Sequence, residues 1–228
     1  MSKKKIKVKV KKRKLKIKRI IICLIVITAI VLLICYISKL RIKNIYIVGN
    51  NILSDKEIIQ LADISNYPSS LSNSTNKIKN KIEKNIYIKK VEVKKKLLSK
   101  IYIYITEKKV LCTYENKLLL EDSSLTEKSQ NASSYPILLS NITNIKEKFV
   151  TSFAKVEDTI LLKISEIEYV PNDVDNERFV LNMNDGNVVY ITLNKIEKIN
   201  KYNSIYSKLE GKKGIIYLDS GDYIEIKE

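Results

Sequence analysis

The stretch IKNIYIVGNNILSDKEI, residues 42–58, holds a strand, a sharp stop and a helix start in close succession. In an extended chain Lys43, Ile45 and Ile47 share one face, and Ile42, Asn44, Tyr46 and Val48 the other. Gly49-Asn50 can adopt the positive φ values that end a strand abruptly. Ser54-Asp55-Lys56-Glu57 is a capping box, with Ser54 as N-cap and Glu57 at the third helical position. The spacing predicts a short helix over Asp55–Ala62 that buries Ile58, Ile59 and either Leu61 or Ala62.

Downstream, SNYPSSLSNS (65–74) reads as a loop, and Thr75–Lys84 as a second helix with Ile78 and Ile82 four apart. Two strands follow, Ile88–Lys95 and Lys100–Glu107, separated by Leu97-Leu98-Ser99. The order is β-α-α-β-β, enough for a small sheet with helices on one face.

Upstream, Ile20–Ser38 carries no charge, and nineteen residues at helical rise span roughly 28 Å, the thickness of a bilayer core. No small-residue cleavage site follows, so the segment reads as an uncleaved anchor. Residues 1–19 hold twelve Lys/Arg and no acid, which places the N-terminus in the cytoplasm and residues 39–228 outside. This tail suits contact with anionic membrane lipid. The other 209 residues carry 30 basic and 25 acidic side chains, a net of +5, so most of the +17 belongs to the tail. The arginines are Arg13, Arg19, Arg41 and Arg178; such scarcity speaks against sequence-specific nucleic-acid reading, and no nucleic-acid partner is expected.

Beyond residue 109, Leu111–Leu120 reads as a hairpin around Glu115-Asn116, 123–136 as a loop and Ile137–Leu139 as a short strand. Residues 143–164 are partly helical in pattern, and Ser165–Val170 and Phe179–Met183 are strands. Asn184-Asp185-Gly186 turns into the strand Val188–Leu193. A helix over Lys195–Leu209 would place Ile196, Ile199, Tyr202, Tyr206 and Leu209 on one stripe, stopped by Gly211. GIIYLDSGDYIEIKE closes the chain as two strands around Ser220-Gly221.

Catalytic chemistry has little to stand on. With no histidine, Ser-His-Asp and Cys-His arrangements are excluded. The five glycines form neither GxGxxG nor a P-loop, so no cofactor or small-molecule substrate is expected. Ser74-Thr75-Asn76-Lys77 matches the S-x-x-K of penicillin-recognising enzymes, but no SDN follows, and Ser74 sits where a helix cap is favoured. Asp173, Asp175 and Glu177 share one loop without EF-hand spacing, so no metal is expected. Cys23 and Cys35 fall in the anchor, and Cys112 reads as a lone buried thiol. The expectation is a non-enzymatic protein.

The β-α-α-β-β order, with Ile45-Tyr46-Ile47-Val48-Gly49-Asn50 opening it and Ile103-Tyr104-Ile105-Thr106-Glu107-Lys108 closing it, resembles a POTRA domain. Placed directly after a single anchor and followed by one further domain, it resembles the FtsQ/DivIB family of bacterial division proteins. Leu98 and Val110 stand where that family often has proline. In the later residues the resemblance rests on Tyr135-Pro136, the turn at 184–186, the late helix, and Ile215–Leu218 running into Asp219-Ser220-Gly221. The implied fold is α+β: tail 1–19, transmembrane helix 20–38, POTRA domain 40–108, and an extracytoplasmic, mixed but mostly antiparallel β domain 109–228. The implied function is that of a division scaffold at the septum. Its expected partners are DivIC/FtsB-type and FtsL-type bitopic proteins and, through them, the septal transpeptidase and glycosyltransferase. A translocation or secretion factor is the alternative, since POTRA domains also serve there.

Two edges are candidate partner-binding surfaces. One is Lys100–Glu107, where Ile101, Ile103 and Ile105 facing the core would leave Tyr102 and Tyr104 outward. The other is the closing pair, with Ile215, Ile216, Tyr217, Leu218, Tyr223 and Ile224; no later sequence is available to cover it. Ile224 and Ile226 are expected in the core and Tyr223 outward. In the resembled family a short segment of a coiled-coil partner is received near these strands.

Overall fold

The computed structural model describes residues 16–97, 99–127 and 134–226. Most of the basic tail with its lipid contact, Leu98, and residues 128–133 of the 123–136 loop lie outside the described residues. Helix α1, Ile17–Ser38, extends the apolar segment by three residues at its start and buries none of its side chains. It is the one helix among the described residues long and apolar enough to cross a membrane.

The opening stretch folds as β1 (Asn44–Val48), a turn, and α2 (Asp55–Leu61). Gly49 has φ +93, and a Cβ there would lie 2.2 Å from the Ile105 carbonyl oxygen, so only glycine fits. Past it the chain is clamped from a distance: the Glu107 carboxylate accepts from the N–H groups of Asn51 (2.8 Å), Ile52 (2.7 Å) and Leu53 (2.9 Å). Three backbone donors that no strand or helix uses are thereby satisfied. The capping box forms, with Ser54 N–H donating to Glu57 Oε2 at 2.7 Å and Glu57 N–H to Ser54 Oγ at 3.3 Å.

Helix α3 is Thr75–Ile82, and strands β2 (Ile88–Lys96) and β3 (Lys100–Glu107) complete the small sheet. Its order is β1-β3-β2, with β1 parallel and β2 antiparallel to β3. Strand β3 is therefore central, which corrects its reading as an edge: both sides of its backbone are already paired. Ile101, Ile103 and Ile105 are buried, Tyr104 is exposed and Tyr102 half-buried, as the alternation predicts.

A nine-stranded sheet occupies the rest, ordered β12-β11-β10-β9-β8-β7-β4-β5-β6. Its strands are β4 (Val110–Tyr114), β5 (Lys117–Leu120), β6 (Leu125–Thr126), β7 (Ile137–Leu138), β8 (Ile164–Tyr169), β9 (Arg178–Met183), β10 (Val188–Thr192), β11 (Gly214–Tyr217) and β12 (Tyr223–Ile226). Strand β6 falls inside the expected 123–136 loop. Most pairings are antiparallel; β10–β11, β4–β7 and β7–β8 are parallel. Helices α4 (Lys146–Phe153), α5 (Asp158–Leu161) and α6 (Tyr202–Ser207) pack on this sheet around Phe149, Phe153 and Phe179.

The expected helix over 195–209 is a correction. Residues Leu193–Lys201 form a 3-10 helix, and only Tyr202–Ser207 is α-helical. Leu193, Ile196, Ile199 and Tyr202 are buried, and they recur every third residue, the repeat of a 3-10 helix. Tyr206 is consequently exposed, and Ile205 packs on the core in its place.

The β4–β5 hairpin is buried on both faces. Leu111 and Leu119 enter the large core, while Val110, Leu118 and Leu120 enter the small one. Ion pairs Lys89–Glu121 (2.8 Å) and Lys108–Asp122 (2.6 Å) flank the same junction. Neither core is complete without this hairpin.

Candidate functional site

Strand β12 ends the large sheet, and among the described residues nothing pairs with its outer side. Several features of the preceding chain place it there. The Asn184–Gly186 turn, α6 and the start of β11 are joined by a polar network. Tyr202 donates its hydroxyl to Asp185 Oδ2 (2.7 Å) and accepts from Asn187 Nδ2 (2.9 Å). The Asn187 side-chain oxygen Oδ1 accepts from Gly214 N–H at 2.8 Å, which fixes where β11 begins. Burial, reinforced by the Asp185 carboxylate, pushes the Tyr202 hydroxyl above the ordinary tyrosine range, so it remains a donor. Gly214 lets β12 come close, since a Cβ there would stand 2.8 Å from the Glu225 carbonyl oxygen.

The register pairs Ile216 with Ile224 and Tyr217 with Tyr223, and Tyr190 with Tyr217 on the other side. Tyr190, Tyr217 and Tyr223 therefore line up across three strands on the outward face. Their rings stack, with centroids 5.2 and 4.6 Å apart. The Arg178 guanidinium sits 4.2 Å from the Tyr190 centroid and is held by Asp219, with Nε to Oδ2 at 2.7 Å. Burial tends to raise the Asp219 pKa, but the bonds from Arg178 and Ser220 and the Arg178 charge together outweigh this and hold the carboxyl below its ordinary range.

On the opposite face a groove of about 310 Å³ lies between α6 and β12. Ile205, Ile216, Leu218 and Ile224 give it an apolar lining, Tyr223 reaches its edge, and Lys198, Lys201, Lys208 and Asp222 stand at its margin. A strand added to β12 would meet unpaired backbone along its length, with alternate side chains entering this groove or lying beside Tyr223.

The expected contact residues thus divide. Tyr217 is half-buried and Tyr223 exposed, in the outward row, and Ile224 borders the groove. Ile216 and Leu218 are buried core side chains, and Ile215 is half-buried. Ile226 is exposed, where the alternation placed it in the core: it pairs opposite Gly214, near the end of the described chain. Tyr102 and Tyr104 share the small sheet's outward face but lie on its central strand, so they cannot receive an added strand. Tyr190, Arg178 and Ile205 carry no such signal in the sequence, because their place in the tyrosine row or the groove depends on pairings across long stretches of chain.

Motifs suggestive of catalysis serve the backbone. Ser74 Oγ accepts from Lys77 N–H at 3.2 Å as a helix cap, while Lys77 Nζ donates to the Ser72 carbonyl. In the 171–177 loop Asn172 and Asp175 side chains accept from nearby N–H groups, and Glu177 pairs with Lys148. Cys112 is buried, and its thiol is pushed up to about 12 by that burial, which keeps it protonated and unreactive.

Residues 40–108 match the family model described as "POTRA domain, FtsQ-type". The chain is similar to the cell division protein DivIB of Bacillus subtilis (strain 168), 33% identical over 206 residues, which cover 86% of this chain and 78% of that one. DivIB of Listeria monocytogenes is 28% identical over 198 residues, 81% of this chain and 72% of that one. The solved major extracytoplasmic domain of a DivIB from Geobacillus stearothermophilus aligns over 96% of its length and 46% of this chain, with 21% identity and a TM-score of 0.37.

Proposed function

The chain belongs to the FtsQ/DivIB family, and on that premise we propose that it is a non-enzymatic division scaffold that works by receiving a partner segment on β12. Its role in cell division follows from the family, and the one helix among the described residues that is long and apolar enough to cross a membrane supplies the anchor. The finer reading is a chain with its N-terminus in the cytoplasm and two extracytoplasmic domains, 40–108 and 109–228, located at the septum. It binds DivIC/FtsB-type and FtsL-type bitopic proteins and through them influences the septal transpeptidase and glycosyltransferase. Confinement to one membrane raises effective concentration, so a single added strand suffices for each contact. The basic tail contributes by holding anionic lipid on its own side.

The observation that carries this reading is the outer side of β12, unpaired among the described residues and bordered by a tyrosine row on one face and an apolar groove on the other. The translocation alternative rested on the POTRA resemblance alone; the likeness to DivIB extends over most of the chain, well past residue 108.

The test is binding of the full chain, held in a lipid nanodisc, to the non-membrane part of a DivIC/FtsB-type partner. It is run beside a chain ending at Gly221, which lacks β12 but keeps the buried Ile216 and Leu218. Loss of binding by the shortened chain, with an unchanged circular dichroism spectrum, is expected. Equal binding by both chains would remove β12 as the site.

A further inference from the structure

Three segments meet where the chain leaves α1. Residues 39–44 follow the helix directly, and the loop 66–73 is laced to them. Ser69 Oγ donates to the Ser38 carbonyl (2.7 Å), Ile42 N–H to the Pro68 carbonyl (3.1 Å) and Ser70 N–H to the Leu40 carbonyl (3.0 Å). The turn between β2 and β3 joins them, because the Lys43 and Asn44 N–H groups both donate to the Ser99 carbonyl, at 2.8 and 3.2 Å. Lys95 Nζ in turn donates to the Ser70 carbonyl. Ser99 is thus bonded to a residue only five beyond the end of α1, a reach of at most about 18 Å of extended chain. If α1 spans the bilayer, this turn cannot lie far from the headgroups.

Composition at this place is one-sided. Segments 39–44, 66–73 and 94–100 together hold seven Lys/Arg and no Asp or Glu. At the turn itself Leu97 is 88% exposed, with φ +52. Tyr67 and Leu71 are also exposed on the adjoining loop. Apolar and aromatic tips within a ring of cations are the composition of an interfacial anchor, in which the tips enter the acyl boundary and the cations stay with the headgroups.

We propose that this end of the small sheet docks on the membrane surface. Leu97 enters the leaflet facing the folded part of the chain, Tyr67 and Leu71 rest at headgroup depth, and Arg41, Lys96 and Lys100 bind anionic headgroups. An acidic protein would match the charge, but only the bilayer is held within reach by the covalent chain itself. The contact would fix the tilt of the small sheet and, through the shared β4–β5 hairpin, the direction in which β12 is presented.

The chain contains no tryptophan, so Leu97→Trp introduces a single fluorophore at an exposed position. The full-length variant is placed in vesicles containing phosphatidylglycerol, with or without lipids brominated along the acyl chain. Val174→Trp, at a 96% exposed position between β8 and β9, is the control, and Leu71→Trp a second reporter on the adjoining loop. Quenching of Leu97→Trp about threefold stronger than that of the control, with blue-shifted emission, is expected from burial in the acyl boundary. Quenching no greater than that of Val174→Trp at both reporters overturns the proposal. Replacing phosphatidylglycerol by phosphatidylcholine should release the tip; quenching of equal strength in both lipids overturns the role given to the basic residues.

Discussion

The small and large sheets each carry a row of stacked tyrosines on an outward face, and the rows end differently. In the small sheet Tyr46 and Tyr102 stack at 4.7 Å, and the row runs out onto β2, where Lys94 and Lys96 lie over the rings of Tyr104 and Tyr102. Strand β2 is an edge, but it carries Lys89, Lys90, Lys94, Lys95 and Lys96, and crowded like charges discourage another strand from pairing. In the large sheet the row ends on β12, whose one charged residue, Glu225, accepts a hydrogen bond from the Tyr217 hydroxyl. Similar Ile/Tyr patterns therefore serve different ends. Side-chain alternation decides which face a tyrosine occupies; strand order and edge charge decide whether a partner strand can join.

The sharpest way to break the small sheet without touching the large one is Gly49→Ala. Its Cβ would collide with the Ile105 carbonyl oxygen, and φ +93 is unsuited to any L side chain. A loss of about 3 kcal/mol in urea unfolding is expected. The matching test of the large sheet is Asn187→Ala, which leaves the buried Gly214 N–H and the Tyr202 hydroxyl each short of a partner. About 2 kcal/mol should be lost. Because Asn187 fixes the start of β11, partner binding should weaken with it, whereas a Gly49→Ala chain that still folds should bind normally. Equal damage to binding by both would mean that the two sheets are not independent in this respect.

Much of this contrast is local and was legible in the residues. Ser54 and Glu57 form their capping box, Glu115 and Asn116 take the positive φ of a tight hairpin, and Tyr104 and Tyr223 face outward. What escaped depends on neighbours distant in sequence. Nothing within Lys100–Glu107 says that β1 will pair parallel to it and make it central. The shared β4–β5 hairpin gave no sign beyond unbroken hydrophobicity, which suits one core as well as two. The 3-10 stretch was visible as a strict spacing of three from Leu193 to Tyr202, but this was absorbed into an α-helical stripe by admitting Tyr206.

The tyrosines themselves allow a finer comparison. Tyr223→Ala should weaken partner binding about tenfold, the scale of a well-placed interface aromatic. Tyr104→Ala, with similar exposure on the central strand, should change it less than about twofold. Isothermal titration with the partner segment gives both numbers under one set of conditions. A larger effect from Tyr104 would return the small sheet's face to the list of contacts.

The smallest expected effect concerns the charge that closes the large row. Arg178 lies over Tyr190 and is oriented by Asp219, whose side chain is only 9% exposed. Burial is the largest single influence on the Asp219 carboxyl and raises its pKa, but the bonds from Arg178 and Ser220 and the Arg178 charge together hold it below its ordinary range in the folded state. A carboxyl depressed on folding stabilises the protein above the unfolded pKa, near 3.9, and that stability is lost as pH falls through the folded value. Asp219→Asn should therefore cost about 1 kcal/mol at neutral pH and converge on the parent as pH falls below the folded value. The difference between the two urea midpoints, followed from pH 7 downward, isolates this carboxyl from the others that titrate alongside it. Since Arg178 touches only the inner end of the row, partner binding should change less than about twofold, well short of the effect at Tyr223. A loss as large as that of Tyr223→Ala would make the whole row, and not its outer tyrosine, the recognition element.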